Sequence, residues 1–125
     1  MAREITTHKL NGLNDALQVI AVDDRGNGNA NHHYQIRWDV DPNDPIIHIR
    51  DFFFQNGPLQ EMSINGISNE SLLAVLIDRL QGFQSGDFKC RENAIALTHL
   101  EDAMHWLQHR TRGRLARGVE GTTAK

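Results

Sequence analysis

Four arginines, Arg110, Arg112, Arg114 and Arg117, fall within eight positions of a 125-residue chain whose formal net charge is -3. A guanidinium is a planar fork of donors that grips phosphate or carboxylate through paired hydrogen bonds. The cluster therefore reads as a place for an anionic ligand. Arg110 and Arg114 are one helical turn apart and share a face. A plainer role competes, because cations near a helix C-terminus offset its macrodipole. Asn93 stands 17 residues before Arg110, about 25 Å along one helix. One small ligand cannot touch both within a single chain. Phe83 and Phe88 lie near Asn93 and offer a ring on which a base could stack. The plainer roles are ordinary core for Phe83 and a register-fixing polar residue in a helix seam for Asn93.

Other reactive residue types form weaker patterns. Glu101, His105 and His109 recur at steps of four, a spacing that can ligate a metal. No further ligand accompanies them, so a solvated face and no metal are expected. His32 and His33 border a loop and read as exposed. Cys90 is the single cysteine, which excludes an internal disulfide and a Cys-based zinc site. Gly26-Asn27-Gly28 lacks the Lys-Ser/Thr of a phosphate-binding loop, and no nucleophile elbow occurs. No catalytic residue and no cofactor are expected. Hydrophobic residues make up 39% and charged residues 23%, ordinary for a soluble chain. The pI of about 6.1 disfavours a nucleic-acid partner. No apolar run nears the roughly 20 residues of a membrane span, and no apolar signal core opens the chain. The reading is cytosolic, with no membrane partner.

The elements that must position these residues change character midway. Residues 5–10 and 16–22 read as strands, with Asn11-Gly12 a turn. Residues 23–31 are Asn-, Asp- and Gly-rich and read as a loop. Residues 33–40 alternate, with Tyr34, Ile36 and Trp38 on one face and Gln35, Arg37 and Asp39 on the other. Residues 41–45 must turn. Ile47, Ile49, Phe52 and Phe54 belong to a further strand, with a bulge near Asp51, and residues 59–64 read as a last short strand. Beyond Ser68 the period becomes helical, through Leu72, Leu73, Leu76, Ile77, Leu80 and Phe83. A second helix begins at an Asp87 cap and runs to about Arg117, about 30 residues and roughly 45 Å. Asn93, Leu97, Leu100, Met104, Leu107, Thr111 and Arg114 follow steps of four and three, a heptad seam.

The fold class expected is α+β: an N-terminal antiparallel β-core over residues 1–67, then an antiparallel two-helix hairpin over residues 68–118. Residues 119–125 are a flexible tail. The long last helix would form an intersubunit seam, because the shorter helix cannot cover it. In an antiparallel dimer with its axis near Glu101 and Asp102, Asn93 of one chain would meet Arg110 of the other, giving two equivalent pockets.

The run FQNGPLQE (residues 54–61), then NGI (65–67), then residues 72–122 resemble the phage anti-Thoeris sponge proteins. RENAIALTHLEDA (91–103) followed by RTRGRLARGVEGT (110–122) makes the likeness specific. The family's hairpin is also similar to that of phage anti-CBASS sponges. The resemblance implies a non-enzymatic protein that sequesters nucleotide immune messengers in the cytoplasm of the infected bacterial host. The ligand it implies is glycocyclic ADP-ribose, with cyclic dinucleotides and cyclic trinucleotides bound by several members. It implies a homo-oligomer, dimer or hexamer, with ligand held between subunits. Phe83 matches the family's adenine-stacking aromatic, Asn93 its polar contact near base or ribose, and Arg110 and Arg114 its phosphate and ribose clamps. Phe88 is a neighbour of that set. Two other classes stay open: a nucleotide-cleaving enzyme using His99, His105 or Glu101, and a small helical dimer that binds nucleic acid or protein.

Overall fold

A computed structural model describes residues 1–41 and 43–125. The elements in order are β1 (Arg3–Ile5), α1 (Gly12–Ala16), β2 (Gln18–Ala21), a 3-10 turn (Asn27–Asn29), β3 (His33–Asp39), β4 (Ile47–Phe53), α2 (Asn69–Gln84) and α3 (Arg91–Ala116). This is the expected α+β chain. It divides into two units: Met1–Gly57 with Met62–Gly66, and Pro58–Glu61 with Ile67–Lys125.

In the first unit the four strands form one antiparallel sheet in the order β1-β2-β3-β4. The alternation read in residues 33–40 sets its two faces. Ile36 pairs with Val19 and Arg50, Tyr34 with Ala21 and Phe52, and Trp38 with His48. These residues share one face, because successive side chains of a strand point to opposite sides. Trp38 stacks on the His48 ring at 5.4 Å, and the Arg50 guanidinium lies 5.2 Å from the indole centroid. The opposite face carries a polar chain. Arg37 donates to Gln35 Oε1, the Gln35 amide donates to Asp51 Oδ1 (2.8 Å), and His33 donates to the same oxygen (2.7 Å).

Several expectations for this half need correction. The opening strand is only Arg3–Ile5, and the second is shortened to Gln18–Ala21. Asn11-Gly12 does not turn a hairpin. The Asn11 side chain accepts from the Asn14 amide at 3.2 Å and caps α1 instead. The β3–β4 register runs unbroken from His33↔Phe53 to Asp39↔Ile47, with no bulge at Asp51. Residues 59–64 form no strand. Side-chain amides replace a ladder there: Asn65 Oδ1 accepts from the Asn56 amide at 2.8 Å, and Gln55 Oε1 accepts from the Asn65 amide at 2.9 Å. In the turn expected over residues 41–45, Pro42 lies outside the described residues. Around it the Asn43 and Asp44 amides both donate to Asp41.

In the second unit Ser68 opens α2 with a capping box shared with Ser71. The next helix is capped by Cys90, not Asp87. The Gln84 amide donates to the Cys90 carbonyl and accepts from the Cys90 amide, both at 3.0 Å. That pair of hydrogen bonds closes the turn, and the helix begins only at Arg91. At 26 residues α3 is about 39 Å long, shorter than expected, and the 16-residue α2 is about 24 Å. The less exposed residues of α2 include Glu70, Leu73, Ile77, Leu80 and Gln84. On α3 they are Asn93, Leu97, Leu100, Met104, Leu107, Thr111 and Arg114, the whole of the heptad seam. Two stripes of matching period thus meet within one chain. Val75, Phe83, Phe88, Ile95, Trp106 and Leu115 remain exposed on the hairpin.

Candidate functional site

The hairpin carries the expected site residues at two ends. Phe83 sits in the last turn of α2, 38% exposed, with the Arg79 guanidinium 5.1 Å from its ring centroid. Phe88 lies in the connecting turn, 78% exposed. Asn93 is in the first turn of α3, half-buried, and its amide donates to Cys90 Sγ at 3.4 Å. Arg110 and Arg114 lie 17 and 21 residues further along α3, about 25 and 31 Å away. The chain therefore groups Phe83, Phe88 and Asn93 at the closed end of the hairpin. It does not bring them to the arginines.

The arginine end is an open groove of about 420 Å³ lined by His109, Arg110, Gly113, Arg114, Arg117 and Lys125. Its two expected arginines differ in kind. Arg110 is exposed and makes no hydrogen bond among the described residues. Arg114 is 7% exposed and engages its fork within the chain. Its Nε donates to Glu120 Oε2 at 3.1 Å, Nη2 to the carbonyls of Val119 (2.9 Å) and Thr122 (3.0 Å), and Nη1 to that of Ala124 (2.5 Å). Arg117 donates to the Lys125 carbonyl.

Residues 119–125, expected to be a loose tail, fold back on α3 through these bonds. The reversal starts at Gly118, where φ of +72° permits a left-handed turn that a side chain would disfavour. Gly121, at φ +78°, accepts a hydrogen bond from the Gln60 amide at 2.9 Å, and Gln60 Nε2 donates to the Glu120 carbonyl at 3.0 Å. Gln60 and Glu120 escaped the reading of the sequence, and His109 was read there only as part of a solvated face, not as a wall of the groove. The one signal for Glu120 was its place between two glycines just beyond the arginines.

Chemically the groove offers guanidinium forks without a placed nucleophile. No group of three His, Cys, Asp or Glu able to hold a metal occurs among the described residues. Among those residues no helix is long and apolar enough to cross a membrane. His109 lines the groove and His105 stands one turn before it, with Trp106 edge-on to both, and Glu101 does not join them in a metal-holding group.

Comparison with known proteins places the chain. Residues 47–112 match the family described as Acb2/Tad1, hairpin domain. That span takes in Phe83, Phe88, Asn93 and Arg110. The chain is also 42% identical over 116 residues to a protein of Bacillus phage SBSphiJ7 named Thoeris anti-defense 1, an alignment covering 78% of this chain and 82% of the phage protein.

Proposed function

The chain belongs to the Acb2/Tad1 hairpin family, and on that premise we propose that it is a phage anti-defence protein that sequesters a nucleotide immune messenger without degrading it. The ligand of this reading is glycocyclic ADP-ribose, with cyclic dinucleotides and cyclic trinucleotides as further messengers to test. It blocks Thoeris signalling, and CBASS signalling where the cyclic oligonucleotides bind. The observation that carries the reading is the open arginine groove on a chain of negative net charge, with a stacking aromatic displaced to the other end of the hairpin.

That displacement makes the function a property of an assembly. An antiparallel homodimer, alone or as the unit of a hexamer, sets Phe83 and Asn93 of one chain beside Arg110 of the partner subunit. Exposed Val75, Ile95 and Leu115 supply apolar surface for such packing. In each pocket the base stacks on Phe83, with Phe88 nearby. Asn93 holds a base or ribose edge, and Arg110 takes the phosphates. Arg114 completes the clamp, and its bonds to Glu120 and the tail must rearrange for it to touch a phosphate. Two phosphates on charged hydrogen bonds and one stacked base support nanomolar affinity, about -12 kcal/mol.

The test is capture and release. Protein is incubated with glycocyclic ADP-ribose, free ligand is removed, and the complex is denatured. Recovery of intact messenger is expected; absence of depletion refutes the reading, and recovery of a cleaved product indicates an enzyme instead. A mixed-subunit experiment tests the composite pocket. Co-expressed Phe83→Ala and Arg110→Ala chains should form heterodimers with one intact pocket in two, whereas either homodimer has none. Equal failure of the heterodimers would place both residues in one chain's site.

A further inference from the structure

Along α3 runs a His–Trp–His cluster to which the messenger reading gives no role, although His109 also lines the arginine groove. His105 and His109 are one turn apart, with ring centroids 6.3 Å apart and planes 29° from parallel. Trp106 stands edge-on to both, at 5.3 Å from His105 and 5.4 Å from His109. Both histidines are exposed, and neither ring makes a hydrogen bond among the described residues. Their nitrogens are therefore open to a ligand from solvent. We propose that His105 and His109 form a two-histidine chelate for a borderline transition-metal dication, Cu²⁺, Ni²⁺ or Zn²⁺, with water filling its remaining positions.

The spacing of the two rings is within reach of one ion. A metal bonded to an imidazole nitrogen at about 2.1 Å lies about 3.2 Å from the ring centre. Two such rings span at most about 6.4 Å when the ion sits in line between them, and about 5.2 Å at a tetrahedral angle. The observed 6.3 Å lies at the in-line limit, about 1 Å beyond the tetrahedral value. Rotation about the side-chain torsions, which the exposure of both rings permits, closes the pair to the tetrahedral value at the cost of shifting their edge contacts with Trp106. The i, i+4 spacing on a helix supplies this chelate in known zinc sites. Imidazole suits these metals rather than Mg²⁺ or Ca²⁺, and Cu²⁺ is expected to bind tightest of the three. Glu101 continues the same stripe one turn earlier but does not join a three-ligand group, so the chelate is bidentate.

Trp106 gives the experiment its readout, because bound Cu²⁺ or Ni²⁺ quenches a neighbouring indole. The full chain is titrated with Ni²⁺ alone, then with Cu²⁺, while tryptophan emission and the melting temperature are followed. Saturable quenching at one ion per chain and a raised melting temperature are expected, with Zn²⁺ displacing Ni²⁺. His105→Ala and His109→Ala should each weaken binding at least tenfold and abolish the metal-dependent rise in melting temperature. Glu101→Gln should leave both unchanged. Trp106→Phe should remove the quenching but keep the thermal shift, which separates this tryptophan from Trp38. Undiminished affinity in either histidine variant, or no saturable quenching in the parent chain, overturns the proposal. None of these outcomes depends on messenger binding.

Discussion

Arg110 and Arg114 have similar charges and a shared helix, yet substitution should separate them sharply. Arg110 is exposed and makes no hydrogen bond among the described residues, so Arg110→Ala should change stability by no more than about 0.5 kcal/mol. Its loss removes charged hydrogen bonds to phosphate worth about 1.5–3 kcal/mol each. Taking about 3 kcal/mol for a bidentate grip, messenger affinity should fall about a hundredfold. Arg114→Ala deletes four hydrogen bonds from a side chain that is 8% exposed. Glu120 and the tail carbonyls recover water in part, which leaves a net cost of about 3 kcal/mol. With an unfolding entropy of about 2.1 cal/mol/K per residue over the 125-residue chain, that is a fall of about 11 °C in melting temperature. Calorimetric melts at matched protein concentration, paired with titration of glycocyclic ADP-ribose, measure both numbers. An equal thermal shift in the two variants would refute the reasoning, as would an Arg110→Ala protein that binds normally.

Three further perturbations probe other parts of the molecule. Gly66→Ala places a Cβ at 2.4 Å from the Phe54 carbonyl carbon and 2.5 Å from the Phe53 carbonyl oxygen. Backbone cannot yield cheaply there, so urea unfolding should show a loss of about 3 kcal/mol. The Asp51 carboxyl is held below its ordinary 3.8 by the hydrogen bond from His33 and then by that from Gln35. Its contribution is present above that value and is lost as pH falls through the lower folded one. Asp51→Asn should therefore flatten the acid limb of the β-core's stability, measured by urea midpoints against pH. Phe83→Ala should weaken messenger binding by about 1–3 kcal/mol, the worth of one stacked base, read by the same titration.

Period was the legible part of this chain. The alternation of residues 33–40 became β3, and the steps of four and three from Asn93 to Arg114 became the half-buried stripe of α3. Both follow from side chains repeating at the pitch of the backbone that carries them. Ends and reversals were not legible. Asn11-Gly12 serves a hairpin turn or a helix cap with the same two residues, and only tertiary context chose the cap. The start of α3 depends on Gln84 reaching Cys90 across the turn, which no periodic signal encodes. For the candidate site the sequence offered residue types, Phe83, Asn93 and Arg110, and the structure sets them at the two ends of the hairpin. The difference between an open Arg110 and an engaged Arg114 was not legible, because it arises from a chain reversal at Gly118 and Gly121.

Carrying Asn93 and Arg110 on one uninterrupted helix makes α3 a ruler. Each residue inserted between them turns one end about 100° relative to the other and lengthens the span by about 1.5 Å. A single insertion would therefore change the angle between Arg110 and Asn93 by that amount, although every side chain remained present. Seven inserted residues nearly restore the phase but add about 10 Å. Under the composite reading, substitutions across the middle of α3 are tolerated as long as the stripe toward α2 stays apolar. Changes of length are not, so drift in this segment should proceed by replacement and almost never by insertion or deletion.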